Sequence, residues 1–226
     1  MSLRYNLLEI EQKMKNILPN KANFYLSDHT PENFELYEDE KLATVKMKLK
    51  RLNDYRASRY CARALLEVMG IYQFPLLKSA EGMPIWPTGI VGSISHSGGL
   101  CIAVAASIDT YIQSIGIDIE TAAPLSRGTL DVVCTKEEIA RLETIGEPLF
   151  FGKIIFSIKE SIFKFFYPLY QQWIGFKDAT VYLDLIENEF SVKFKETIDY
   201  RIRSTAMHGK WFINHDYIIT CCFDEK

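Results

Sequence analysis

The chain predicts an α+β fold made of two similar halves, and three observations carry that expectation. Apolar residues recur at helical spacing in two separate stretches, each stretch is followed by runs of strand texture, and the length allows two small cores. The 226 residues are 48% hydrophobic and 24% charged, which suits one fairly large domain or two small ones with a buried apolar interior. No repeat is legible in the sequence itself, so any likeness between the halves lies in the order of their elements.

Residues 38 to 70 read as helix. Leu42, Val45, Leu49, Leu52, Cys61, Leu65 and Val68 recur at mixed threes and fours, Gly70 is a stop, and a break at Asn53 stays open. From Gly82 to Glu120 the texture changes to strand, with Leu100 to Ala106 apolar almost throughout and isoleucines alternating in Ser114 to Glu120. Ser97-Gly98-Gly99 offers a hairpin turn between two of the strands in this stretch. A shorter helix is expected over Asp131 to Leu142, opened by Thr135 with Glu138 three residues on in the form of a capping box. Residues 149 to 167 give the clearest helix of the second half: Phe151, Ile155, Ile158, Ile162 and Phe165 form one stripe, Lys153, Ser157, Glu160 and Lys164 the opposite one, and Pro168 is expected to end it. Strands follow over Ala179 to Leu185, Phe190 to Lys195 and Lys210 to Phe223, the last divided by the turn signal Asn214-His215-Asp216. This order places the boundary between the halves at 1–115 and 116–226.

Composition excludes some classes. A net charge of −3 gives no bulk attraction to nucleic acid or an anionic membrane, and the local basic stretch Lys46, Lys48, Lys50 and Arg51 reads as a solvated helix face. The five cysteines are odd in number, lack a C-x-x-C pair and lie mostly in apolar runs, so they read as reduced core residues. No apolar run is long enough to span a bilayer and no signal-peptide region is visible, so a cytoplasmic location is expected.

The chemistry lies in four segments: Glu81-Gly-Met-Pro-Ile-Trp-Pro87, Gly92-Ser-Ile-Ser-His-Ser-Gly98, Gly116-Ile-Asp-Ile-Glu120 and Phe156-Ser-Ile-Lys-Glu-Ser-Ile-Phe-Lys164. Asp118 and Glu120, two apart on a strand, project from one face, while Ile117 and Ile119 point the other way. By itself such a pair is an ordinary solvated strand edge. The glycine before it is expected to let a ligand approach the backbone, and Glu160 adds a third carboxylate. Three hard oxygen donors suit Mg²⁺, whereas none of the four histidines has the spacing of a zinc site. Glu160 and Lys164, at i and i+4, are either a surface ion pair or, with Lys159 about 100° around the helix, the bracket of an anion. Ser95 and His96 do not form a hydrolase pair, because neighbouring strand residues face opposite ways and no G-x-S-x-G elbow is present. A P-loop is also absent.

In this order the segments resemble the 4′-phosphopantetheinyl transferases, most closely the siderophore-synthase subgroup typified by enterobactin synthase component D. The matching blocks are Lys50 to Arg59, Gly82 to Pro87, G-S-I-S-H-S, I-G-I-D-I-E and F-S-x-K-E-S-x-F-K, over about residues 40 to 180, with Ile218-Ile-Thr-Cys-Cys222 also fitting. The resemblance implies a pseudo-twofold arrangement of the halves with the active site in the cleft between them. It implies transfer of the phosphopantetheine arm of coenzyme A to a serine of an apo carrier protein, with release of adenosine 3′,5′-bisphosphate. By the same resemblance Asp118, Glu120 and Glu160 bind Mg²⁺, and Ser95 and His96 hold the nucleotide end. Lys159 and Lys164 meet the pyrophosphate, and Lys50, Arg51 and Lys78 lie near the 3′-phosphate. Glu160 is the expected base and, with Lys164, the catalytic pair, while Glu138 matches a recurrent acid. Ser58, Met83 and Phe156 depart from the family pattern, and Met83, where many relatives carry lysine, removes one expected nucleotide contact.

Two other readings use the same residues: a Mg²⁺-dependent phosphohydrolase acting on CoA or a nucleotide, and a catalytically silent CoA-binding module. The expected partners are CoA and a carrier domain of a peptide, polyketide or fatty-acid synthase, with no nucleic acid and no membrane. Since one chain supplies both walls of the cleft, a monomer is expected.

Overall fold

A computed structural model describes residues 3–224. Two antiparallel sheets organise it, each with one long helix laid across it. The first part runs α1 (Leu3–Ile17), β1 (Asn23–Ser27), α2 (Glu38–Leu42), α3 (Leu49–Val68), β2 (Ile90–Ser97) and β3 (Leu100–Ser107), with the sheet ordered β1-β3-β2. The second runs β4 (Ile115–Thr121), α4 (Arg127–Val133), α5 (Lys136–Ile145), α6 (Pro148–Tyr170), β5 (Ala179–Asp184), β6 (Glu189–Phe194), α7 (Tyr200–Ser204), β7 (His208–Ile213) and β8 (Tyr217–Phe223), with the sheet ordered β4-β8-β7-β6-β5. In both parts the first strand pairs antiparallel with the last, β1 with β3 and β4 with β8. The α+β class is thus as the sequence indicates, with three strands in one sheet and five in the other.

Alternation along β3 and β4 explains how the parts join. Cys101, Ala103 and Ala105 face Cys61 and Leu65 of α3, while Leu100, Ile102 and Val104 turn to the other side. There they meet Ile10, Met14 and Ile17 of α1, together with Ile115, Ile117 and Ile119 of β4 and Ile219 of β8. One apolar cluster is therefore shared by both sheets, and the remaining face of β4 carries Gly116, Asp118 and Glu120 toward α6. Helix α6 buries Ile154, Ile155, Ile158, Ile162, Phe165 and Phe166, each contributing roughly 1.5–3 kcal/mol of transfer free energy. An Ile158→Asp change would place a charge in that interior and break the packing.

Several local expectations need correction. The helix over 38 to 70 is two helices: the chain turns through 43–48 and Asn53 lies unbroken within α3. Leu42, Val45, Leu49 and Val68 are exposed, whereas Cys61 and Leu65 of the expected set are buried, and α3 buries Tyr55, Arg59, Ala62 and Leu66 with them. The break follows from Glu40, which is buried and accepts from the N–H groups of Tyr37 (3.0 Å) and Leu76 (2.9 Å) and from the Arg63 guanidinium (3.0 Å). Those bonds pin α2 to α3 and to the following loop, which a continuous helix would not allow.

The helix expected over 131 to 142 is likewise split into α4 and α5, with the Thr135–Glu138 capping box opening α5. Pro168 does not end α6. It removes one hydrogen bond in the final turn, and the helix closes at Gln171, whose φ is 50° and whose N–H reaches the Tyr167 carbonyl at 2.8 Å. The hairpin turn is at Gly98 and Gly99, with φ of 58° and 88°, the positive values that a two-residue hairpin loop favours. All five cysteines are free and buried. Among the described residues no helix is long and apolar enough to cross a membrane.

Candidate active site

Strand β2 runs beside β4 where the two sheets meet, and Ser93 Oγ accepts the Ile117 N–H at 3.1 Å across that seam. Helix α6 closes the third side. Gly116 sets its approach: a Cβ there would collide with the Ser161 carbonyl and the Phe165 backbone. The glycine before the acid pair therefore admits a helix, not the ligand expected from the sequence, and that helix brings Ser157, Glu160 and Lys164 alongside Asp118.

Asp118 is 3% exposed and fully engaged. Its carboxylate accepts from Ser95 Oγ, Ser157 Oγ and Lys164 Nζ, each at 2.8 Å. Lys164 also donates to Ser95 Oγ (2.9 Å) and to the Ile117 carbonyl (3.1 Å), so one ammonium ties β2, β4 and α6 together. Glu120 accepts from Lys153 Nζ at 2.6 Å and more weakly from Ser97 Oγ at 3.4 Å. Glu160 differs: among the described residues no group donates to its carboxylate. Burial, then the neighbouring charge of Asp118, push its pKa up from 4.5, with Glu120 adding and Lys164 opposing. A half-buried carboxylate beside two others, without a donor of its own, is a group held ready for a proton or a cation.

The polar end of the cleft is basic. Arg51, Tyr55, Arg59, Lys78, Gly82, Pro84 and His96 line a cavity of about 360 Å³. Arg59 is 3% exposed and its Nε and one terminal nitrogen have no partner among the described residues, while its guanidinium lies 4.0 Å from the centre of the Tyr55 ring. Burial lowers the Lys78 pKa, with Arg59 and Arg51 adding to it. His96 is lowered too, first by burial, with Lys164 and Lys78 in the same direction and Asp54 and Asp118 opposing. Asp54 lines the same cavity, and Arg51, Arg59 and Lys78 outnumber its carboxylate, which leaves an excess of positive charge suited to an anion. On the other side of Glu160, Trp86, Ile90, Ser93, Phe163, Lys164, Tyr167 and Met83 line a largely apolar cavity of about 410 Å³.

The structure brings Asp118, Glu120, Glu160, Lys164 and Ser95 together, and it places Arg51, Lys78 and His96 around the neighbouring basic cavity. Ser95 and His96 do face opposite ways, one toward Asp118 and the other toward Asp54, whose Oδ1 is 4.0 Å from His96 Nδ1. Lys50 is not at that cavity; it is exposed and lines an adjoining cleft of about 660 Å³ with Asp54, Arg56 and His96.

Lys159 is a correction. It is 5% exposed and points away from the acids, and its three N–H donors go to Glu138 (2.8 Å) and to the carbonyls of Val133 (3.0 Å) and Phe176 (2.7 Å). Glu138 in turn accepts the N–H groups of Thr135 (2.6 Å) and Val181 (2.7 Å). With its side chain only 3% exposed, the Lys159 ammonium is sealed among these acceptors and is not offered to a phosphate. Arg59, Ser157 and Lys153 carry no functional assignment from the sequence. Ser157 and Lys153 were visible on the polar stripe of α6, and the strand partner that gives them meaning was not.

Comparison with known proteins finds matches in both parts of the chain. Residues 38–106 match the family described as 4′-phosphopantetheinyl transferase N-terminal domain, and residues 114–222 match the 4′-phosphopantetheinyl transferase superfamily. The chain is 33% identical to the 4′-phosphopantetheinyl transferase PptT of Mycobacterium tuberculosis, over 76% of this chain and 78% of that one. It is 31% identical to the 4′-phosphopantetheinyl transferase Npt of Nocardia iowensis, over 84% and 90%. To enterobactin synthase component D of Salmonella typhimurium it is 28% identical, over 76% and 71%. With both parts matched in order, the chain belongs to the 4′-phosphopantetheinyl transferase superfamily.

Proposed function

We propose that the cleft between the halves 1–115 and 116–226 binds coenzyme A and, with Mg²⁺, transfers its 4′-phosphopantetheine group to a serine of an apo carrier protein. The observation that carries this reading is Glu160, a half-buried carboxylate with no donor among the described residues, set beside Asp118, Glu120 and Lys164. The donor set fits Mg²⁺ chemically: Asp118, Glu120 and Glu160 would hold it, through hard oxygens of one cleft. When bound, the ion would neutralise charge on the pyrophosphate.

The chain's own residues supply the rest. Arg51, Arg59, Lys78 and His96 hold the phosphorylated nucleotide end, and the apolar cavity by Trp86, Phe163 and Tyr167 takes the pantetheine arm. Lys164, whose ammonium reaches the cleft beside Asp118, meets the pyrophosphate oxygens. Glu160 takes the proton of the attacking serine, directly or through a water. The serine oxygen bonds to the phosphorus that bears the arm, the bond to the bridging oxygen breaks, and adenosine 3′,5′-bisphosphate leaves. Its raised pKa suits Glu160 to that proton better than an ordinary carboxylate.

The acceptor is a peptidyl, aryl or acyl carrier domain, a choice supported by relatives whose names include enterobactin synthase component D. Both walls of the cleft come from one chain, which fits a monomer, and buried free thiols fit a reducing cytoplasm.

Intact-mass spectrometry of apo carrier domains incubated with the protein, CoA and Mg²⁺ tests the proposal. A phosphopantetheine mass gain that EDTA prevents is the expected outcome. CoA cleaved with no gain on any carrier would instead favour the phosphohydrolase, and CoA bound intact the silent binding module.

A further inference from the structure

We infer that Lys153 is a built-in counter-cation of the acid cluster, one that competes with the divalent ion for Glu120 and thereby sets its affinity. The inference rests on the metal reading given under the proposed function. Lys153 precedes Ser157 by four residues, Glu160 by seven and Lys164 by eleven, so it stands on the same face of α6, one turn beyond Asp118's partner. Its Nζ lies 2.6 Å from Glu120 Oε2, with the two side chains only 13% and 22% exposed. The ammonium is also 4.9 Å from the centre of the Phe156 ring, which packs beside it.

Of the three carboxylates, then, Asp118 is held by Lys164, Glu120 by Lys153, and Glu160 has no ion-pair or hydrogen-bond partner of its own among the described residues. As the side chains stand, no group of three or more His, Cys, Asp or Glu among the described residues is arranged to hold a metal ion. A cation gathered by all three carboxylates would compete with Lys153 for the Glu120 charge, as it would with Lys164 for that of Asp118. Lys159 cannot take that part, because its donors are spent on Glu138 and two carbonyls. Removing the Lys153 ammonium leaves the Glu120 charge without its close partner, so the cluster attracts a divalent cation more strongly. Keeping the ammonium prevents Glu120 from standing uncompensated when no ion is present.

The test is Mn²⁺ binding followed by electron paramagnetic resonance, on the full chain without CoA. Lys153→Met keeps the stem beside Phe156 and removes the charge; it should bind Mn²⁺ about ten-fold more tightly than the parent, the scale of a lost charge-assisted hydrogen bond. Lys153→Arg keeps the charge and should stay within about three-fold of the parent. Unchanged or weaker binding by Lys153→Met, while Asp118→Asn abolishes the parent's binding, overturns the inference and leaves the metal reading standing. Absence of binding by both parent and Lys153→Met also overturns it, and the EDTA arm of the mass experiment then decides the metal reading by itself.

Discussion

Lys159 and Lys164 lie five residues apart on α6, yet their surroundings assign them opposite tasks. Lys159 is sealed among Glu138 and two carbonyls, three donors meeting three acceptors, whereas Lys164 is a quarter exposed at the side chain and reaches the cleft through Asp118, Ser95 and the Ile117 carbonyl. Residue type and helical position alone did not separate them. Burial does: both ammoniums have three acceptors, but one whose side chain is 3% exposed fastens elements together, while one 25% exposed at a cleft edge can exchange its acceptors for a ligand. Glu138 and Glu160 repeat the contrast, the carboxylate of one accepting from three donors and that of the other from none among the described residues.

The largest expected effect belongs to Glu160, the open member of the second pair. Glu160→Gln should lower transfer by roughly 10³-fold, within the range of a lost general base, as measured by single-turnover mass spectrometry. Its pH signature should separate it from any buried structural acid. Because the folded pKa is raised above 4.5, the folded state retains the Glu160 proton where the unfolded chain has lost it. That contribution favours the folded state below 4.5 and is lost as pH rises from 4.5 through the folded pKa. Chemical denaturation of the ligand-free protein across that window should show a fall in stability that Glu160→Gln removes, while transfer in the parent should decline as pH drops through the raised value.

Lys159 should answer in stability. Lys159→Met leaves Glu138 charged and buried without its cation, at a cost of about 3–5 kcal/mol. A thermal melt should show a drop on the order of 10 °C for a chain of this length. If Lys159→Met keeps the parental melting temperature and loses transfer, the contrast between the two lysines is wrong.

Lys164→Met should reverse the pattern, with transfer down by about 10²-fold, the scale of one lost charge-stabilising donor, and a smaller fall in melting temperature than Lys159→Met, since two serines still donate to Asp118. Parallel activity and melting series on the two variants measure this difference directly. At the bottom of the scale, Lys195 pairs with Asp178 at 3.3 Å with its side chain 54% exposed, and Lys195→Ala should change stability by no more than about 0.5 kcal/mol.

How much of this was legible depended on range. Local signals were readable: the capping box at Thr135 and Glu138, the Gly98-Gly99 turn, and the alternation that puts Asp118 and Glu120 opposite Ile117 and Ile119. The break between α2 and α3 was not, because it depends on Glu40 meeting Arg63 and Leu76, residues 23 and 36 positions away. α1, β1 and α7 carried no expectation at all; α1 owes its place to an apolar cluster made with β3, β4 and β8. Arg59 appeared in the sequence only as the end of a resembling block, and its unpartnered nitrogens in a basic cavity are a fact of packing.

The sequence by itself determined the α+β class, the family, the three carboxylates and the polar stripe of α6, since these follow from short-range periodicity and from segments that hold their order along the chain. The tertiary structure alone decided which charged groups meet. Gly116 admits α6 against β4, the seam between β2 and β4 brings Ser95 to Asp118, and the α4–α5 junction surrounds Lys159. Whether an ammonium is a strut or a ligand depends on acceptors contributed from elsewhere in the chain, and no local pattern encodes those distances.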